Sequence, residues 1–291
     1  MDYSPGSTGQ MPVNLLVKES LVGDRGQSEI DFYELAKHEQ GLPTFEYFGF
    51  LESSGSEPMS MLFNDLTATH VQTPWPVIPC FDQCRMAVDA LAQIHGNWWG
   101  RLTDDQIPTQ EILSKQIRQL EPFFSGYVDY VGDYFTDRHR KIYDLIFTNL
   151  SRIKADRAHV ATLVHTDPHY WNFLYRENTA VDHCVIFDWP LWRFGFGGDD
   201  LAYMIALHLY REHRTRFEHG LLTSYVKCLN ANDITYLMED ALLDYKLGVI
   251  NGLLMPLQEF AWKIPPLDWL PKLEKAMSAF DDHDCLALLD S

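Results

Sequence analysis

Leu163-Val164-His165-Thr166-Asp167-Pro168-His169-Tyr170-Trp171-Asn172-Phe173-Leu174-Tyr175 decides the reading of this chain, together with Val185-Ile186-Phe187-Asp188-Trp189 further on. Inside it, His165-x-Asp167-x4-Asn172 places a carboxylate and an amide a short loop apart. Asp188 then ends an apolar run. A single His-x-Asp-x4-Asn recurs by chance, and an apolar run ending in Asp is commoner still, so the pattern gains weight only from its surroundings.

Those surroundings are upstream. Val13-Asn14-Leu15-Leu16-Val17 is a short apolar run that reads as a strand, and Lys18 follows it. Glu29 opens the next helical pattern. Phosphoryl transfer asks little covalent chemistry of a protein. It asks for an aligned nucleophile, a group to take its proton, and neutralised phosphate charge. The order Lys18, Glu29, Asp167, Asn172, Asp188 matches the spacing used by kinase-fold enzymes. Asp167 would orient a substrate hydroxyl and accept its proton, while His165 shapes the loop rather than reacting. Asn172 and Asp188 would hold magnesium, which prefers hard oxygen ligands. Lys18 and Glu29 would grip the nucleotide phosphates. Leu62-Phe63-Asn64-Asp65-Leu66 sits where two lobes should join, and backbone groups at Phe63 and Asn64 are candidates to pair with adenine.

Composition bounds the rest. A chain of 291 residues can bury one large core or two lobes, and 46% apolar with 22% charged residues is ordinary for a globular protein. A net charge of −18 argues against a nucleic-acid partner, since phosphate neutralisation needs a basic surface. It is compatible with a cationic substrate, but first of all it keeps the surface soluble. The five cysteines are scattered, and Cys80-x3-Cys84 has no matching second pair, so free buried thiols are expected rather than zinc. No apolar run reaches membrane-spanning length, and the start lacks the basic and apolar regions of a signal peptide. A cytoplasmic protein without a membrane partner is expected; the oligomeric state is left open.

The coarse element pattern is uneven. Residues 1–12 read as a Gly/Ser/Pro turn. Ser28 is placed to cap a helix over 29–38, with Glu29, Phe32, Tyr33 and Ala36 on one face. Strands fit 45–51 and 60–63, joined by a polar turn. After the prolines at 74, 76 and 79, Asp82 is placed to cap a helix to about Trp98, with Met86, Ala90, Leu91 and Ile94 as its buried stripe. Helices fit 108–122, 123–136 and 138–154, short strands fit 173–176 and 184–187, and helices fit 199–213, 214–230, 232–255 and 269–279. The division expected is a small lobe over 1–66 and a helical lobe over 67–291.

With these segments in place the chain resembles the aminoglycoside phosphotransferase-like superfamily, which includes the choline kinases, and most of all its ecdysteroid-kinase-like branch. Leu16-Val17-Lys18-Glu19 is similar to the family's lysine strand. Glu29-x2-Phe32-Tyr33-x-Leu35 is similar to its glutamate helix, Ala90-Leu91-Ala92-x2-His95 to the helix after the hinge, and Gly198-Asp199-Asp200-Leu201-Ala202-Tyr203 to the helix beyond the metal strand. The resemblance implies an α+β, protein-kinase-like bilobal fold with a truncated small β-rich N-lobe and a large mainly helical C-lobe. It implies ATP and Mg2+ as cofactors and a small-molecule hydroxyl as acceptor. Asp200 is expected to brace the catalytic loop from below.

Three departures stand out. The family's His-Gly-Asp is His165-Thr166-Asp167, and Thr fits only if that position does not require positive φ. Asn64 replaces an acid at the hinge. The family carries two strands and a nucleotide-covering loop ahead of the lysine strand, whereas seventeen residues precede Lys18 here and Tyr3 to Asn14 reads as a turn. A missing hairpin would leave the first strand as a sheet edge and weaken ATP binding. That motivates the alternative of a non-catalytic, pseudokinase-like binding protein. A protein kinase is disfavoured, because Trp189-Pro190 follows Asp188 instead of Phe-Gly. The acceptor pocket is expected near the catalytic loop and the late helices, with His169, Trp171, Trp192, Asp240 and Asp244 as candidates. Asp240 and Asp244, one turn apart, would face an amine or simply solvent. Trp98, Trp99, Trp171 and Trp192 would form a cation–π wall or ordinary core.

Overall fold

The computed structural model describes residues 14–19, 24–51, 59–177 and 184–290. The residue 1–12 turn, Val13, and the polar turn over 53–58 lie outside them. In chain order come β1 (Leu15–Glu19), α1 (Asp24–Ala36), β2 (Tyr47–Leu51), β3 (Ser60–Asn64) and β4 (His70–Gln72). Then follow α2 (Phe81–Trp98), α3 (Gln110–Arg118), α4 (Glu121–Val131), α5 (Asp137–Ala155), β5 (Ala161–Val164), β6 (Phe173–Arg176), β7 (Cys184–Ile186) and β8 (Arg193–Phe196). The chain ends through α6 (Gly197–Ala202), a π-turn over Tyr203–Leu207, α7 (Arg211–Ala231), α8 (Met238–Gly252), α9 (Leu254–Ala261), α10 (Pro266–Asp282) and α11 (Leu286–Leu289).

Two compact units result, one reaching Pro79 and taking back Trp171–Trp192, the other holding Cys80–Tyr170 and everything from Arg193 onward. This differs from a cut at residue 66. The cause is pairing: β4 runs antiparallel to β6, β6 to β7, and the Ile186 N–H donates to the Pro43 carbonyl at 2.7 Å. The β6–β7 hairpin therefore belongs to the smaller unit.

In the smaller unit β3 is the central strand of β1-β3-β2, antiparallel to both neighbours. Among the described residues β1 has one strand partner, β3. Glu29, Phe32, Tyr33 and Ala36 do share a buried face of α1. Phe32 stacks flat on Trp189 at 3.8 Å, and Tyr33 meets Phe63 at 4.7 Å, giving an aromatic core. The helix begins at Asp24, not at Glu29, so Ser28 is internal and caps nothing; its carbonyl accepts from Trp192 Nε1–H at 2.7 Å.

The larger unit is built on α2, α6, α7 and α8. Helix α2 buries Ala87, Val88, Ala90, Leu91, Ala92 and Ile94, with Met86 only half buried. Its N-cap is Cys80 rather than Asp82. Helices α6 and α8 approach so closely that a Cβ on Gly248 would stand 2.0 Å from the Gly198 carbonyl oxygen. Only glycine permits that approach, and it fixes α6 in place. Strands β5 and β8 form a fully antiparallel two-stranded sheet that the apolar pattern did not separate from its surroundings. No helix among the described residues is long and apolar enough to cross a membrane.

Candidate active site

In the smaller unit, Lys18 ends β1's apolar run and Glu29 lies on the buried face of α1. The Lys18 ammonium donates to Glu29 Oε1 at 2.7 Å and to Asp188 Oδ1 at 2.7 Å, joining residues far apart in sequence. Burial pulls the Lys18 pKa down, but Glu29 and Asp188 outweigh it, and the group ends above the ordinary lysine value. It therefore stays charged. Glu29 Oε1 also accepts the Trp189 N–H at 3.1 Å, so the carboxylate ties β1 to the turn after β7. Asn172 is buried and adjoins the same turn: its carbonyl accepts the Phe187 N–H at 3.1 Å, and Phe173 pairs with Ile186. The β6–β7 hairpin thus brings the backbone of Asn172 beside Phe187, the residue before Asp188.

Asp188 holds φ at 70°, and Thr166 holds φ at 71°. Both are left-handed, and neither is glycine. The expectation for Thr166 is corrected here: the position does require positive φ, and threonine occupies it regardless, at a steric cost.

In the larger unit, Asp200 is 1% exposed. Its carboxylate accepts the His165 N–H at 2.7 Å, the Thr166 N–H at 2.9 Å and His95 Nε2 at 3.2 Å. His95 in turn meets the Tyr225 hydroxyl through Nδ1 at 2.8 Å. This network satisfies the polar groups of a strained loop, and it compensates the strain at Thr166. His165 is wholly buried, and its Nδ1 accepts the Asp167 N–H at 3.3 Å. Asp167 Oδ1 accepts the Tyr203 hydroxyl at 2.6 Å, and His169 Nε2 stands 3.9 Å from Asp167 Oδ2. Burial lowers the His169 pKa against the opposing pull of Asp167, so this imidazole favours its neutral form.

Residues 32–235 match the ecdysteroid kinase-like family. The chain belongs to that family. No curated protein matches it. Among solved structures, a choline/ethanolamine kinase family protein from Mesorhizobium loti superposes with a TM-score of 0.58 at 14% identity, over 96% of this chain and 83% of that one. Choline kinase LicA from Streptococcus pneumoniae gives 0.57 at 12%, over 92% and 86%. Aminoglycoside 2'-phosphotransferase-IIIa, solved with GDP, gives 0.56 at 12%, over 89% and 81%. At such identities the shared property is the fold, which is the α+β kinase-like bilobal one. The family match begins after Lys18 and Glu29, so those two rest on their geometry alone.

The other candidates of this ecdysteroid kinase-like chain have partners of their own. Phe63 pairs with Leu16 on one side and Tyr47 on the other, and its ring is core. Asn64 exchanges bonds with Glu46, donating its N–H at 3.1 Å and accepting through Oδ1 at 3.0 Å. Both residues pair within the three-stranded sheet. Asp244 is buried against Arg157, accepting from Nε at 2.7 Å, and Asp240 accepts from the same guanidinium at 3.1 Å. Tyr236 also donates to Asp244 at 2.6 Å. Asp244 and Asp240 thus share one guanidinium, with Asp244 buried and Asp240 part exposed. Trp192 is tied to α1, Trp98 is core, Trp99 meets Tyr236 edge-on at 5.0 Å, and Trp171 meets Trp75 at 6.5 Å. Tyr203 and His95 escaped the sequence reading as site residues. The signal for Tyr203 was its position three residues after Asp200, on the same helical face.

Proposed function

We propose that this chain transfers the γ-phosphoryl group of ATP to a hydroxyl of a small molecule. The observation that carries the reading is the Lys18 ammonium bridging Glu29 and Asp188 at the end of the hairpin that bears Asn172. Asp167 takes the acceptor's hydroxyl proton as the new oxygen–phosphorus bond forms and the bond to ADP breaks. Lys18 holds the phosphates and Glu29 holds Lys18. The loop from Asp167 to Asn172 carries the chain from the larger unit into the smaller.

The donors suit magnesium. Among the described residues no three or more His, Cys, Asp or Glu side chains group to hold a metal ion. A nucleotide-borne magnesium asks for only one or two protein oxygens, which Asn172 and Asp188 offer. Magnesium, when bound, neutralises phosphate charge.

The test is phosphorylated product from ATP, magnesium and a pool of hydroxylated small molecules. Asp167→Asn is expected to lower the rate about a hundred- to ten-thousandfold, with nucleotide affinity retained. Lys115→Ala, on the exposed face of α3, is expected to leave it unchanged. Nucleotide binding without turnover over a broad pool would favour the binding-only alternative.

A further inference from the structure

The loop bearing Asp167 is gripped twice by one helical segment. Asp200 takes the N–H groups of His165 and Thr166, and three residues later Tyr203 donates to the Asp167 carboxylate itself. Tyr203 opens the π-turn, and its carbonyl accepts from His208 Nδ1 at 2.8 Å across that wider turn. Such turns rotate later side chains away from an α-helical path and recur at functional sites. Behind Tyr203 lies Lys272 on α10, whose ammonium stands 3.4 Å from the phenol oxygen and 5.5 Å from the ring centroid. Glu259 on α9 holds Lys272 through Oε1 at 2.5 Å. Glu259 is 8% exposed, and its Oε2 has no hydrogen-bond partner among the described residues.

Resting on the kinase reading above, we infer that Tyr203 is a positioning residue that fixes the rotamer of Asp167 for proton acceptance, with Lys272 and Glu259 holding the phenol in place. The order of the groups supports it. Lys272 can only donate, so it faces the lone pairs of Tyr203 and leaves the phenol hydrogen for Asp167. Burial, then Asp167, raises the Tyr203 pKa well above the ordinary tyrosine value, so the phenol keeps the proton it donates. A hydrogen bond to a charged carboxylate is among the stronger kinds in a protein interior. Core packing alone would be met by phenylalanine. The hydroxyl on the catalytic carboxylate is what packing leaves unexplained.

The experiment compares the full chain with Tyr203→Phe, an isosteric change that keeps the ring packing. Hydrogen exchange is read first and needs no acceptor. Losing one charge-assisted hydrogen bond is expected to speed exchange across residues 165–172 about tenfold, with α2 and α8 unaffected. In turnover, kcat is expected to fall about ten- to a hundredfold with KM for ATP unchanged. Lys272→Arg is expected to keep most of the activity, since it keeps a cationic donor, and Lys272→Met to lose it. A Tyr203→Phe protein with unaltered loop exchange, or with kcat equal to the parent, overturns the inference. If the parent chain transfers no phosphoryl group at all, the functional reading fails, and the exchange comparison alone decides whether Tyr203 positions Asp167.

Discussion

Thr166 holds φ at 71° between His165 and Asp167. A left-handed β-branched residue costs about 1–2 kcal/mol, while glycine there would lose about 0.5–1 kcal/mol to unfolded-chain entropy. Thr166→Gly should therefore stabilise the chain slightly, raising the calorimetric midpoint by about 1–3 °C. A fall would mean the threonine side chain contributes more than its strain costs. Asp200 works the other way. Asp200→Ala orphans two buried N–H groups and His95, at about 1–3 kcal/mol each, so denaturant unfolding should show a loss of several kcal/mol. The expectations at Asp167, Asn172 and Asp188 came from their spacing taken together with Lys18 and Glu29 upstream. The strain at Thr166 was not legible in the sequence, since a substituted glycine position tells nothing of whether the backbone yields. Tyr203 was not either: nothing in Tyr203-Met204-Ile205-Ala206-Leu207 separates a π-turn from an α-turn.

At the scale of elements, the contact of α6 with α8 sets where Asp200 and Tyr203 stand. Gly248→Ala would drive a methyl into the Gly198 backbone, which cannot rotate away. Overpacking of this kind costs about 1–3 kcal/mol, and activity should fall with stability because α6 must shift. Gly252→Ala meets only the Leu207 side chain, at 2.7 Å, and should be milder. Paired thermal melts and rate measurements separate the two. The long helices could be read from their apolar period, and β2, β3, β6 and β7 from alternation and turn residues. Strands β4, β5 and β8 could not. Each is three or four residues long, and β5 is buried on both faces, where the two-residue period vanishes.

At the scale of the whole molecule, ion pairs between α7 and α10 contribute to behaviour in acid. Asp282 is pulled down to about 2, chiefly by hydrogen bonding from Arg211, with burial opposing and Arg214 adding. Its folded pKa lies below the unfolded value of about 3.9, so its contribution is full above that pH and is lost as pH falls toward 2. Asp282→Asn should lower stability near neutrality and flatten its dependence between about pH 4 and 2, read by acid titration of circular dichroism. The two-unit plan was visible in the shift from short strands to long helices. Its boundaries were not, because the return of 171–192 to the smaller unit depends on β4 pairing with β6, which no local pattern announces. The central claim is that Asp167 serves phosphoryl transfer to a hydroxylated small molecule. It is tested most directly by incubating the chain, and its Asp167→Asn variant, with γ-labelled ATP, magnesium and pooled hydroxylated acceptors. Label in an acceptor with the parent chain and none with the variant is the predicted result; equal labelling by both, or none by the parent across the pool, would contradict it.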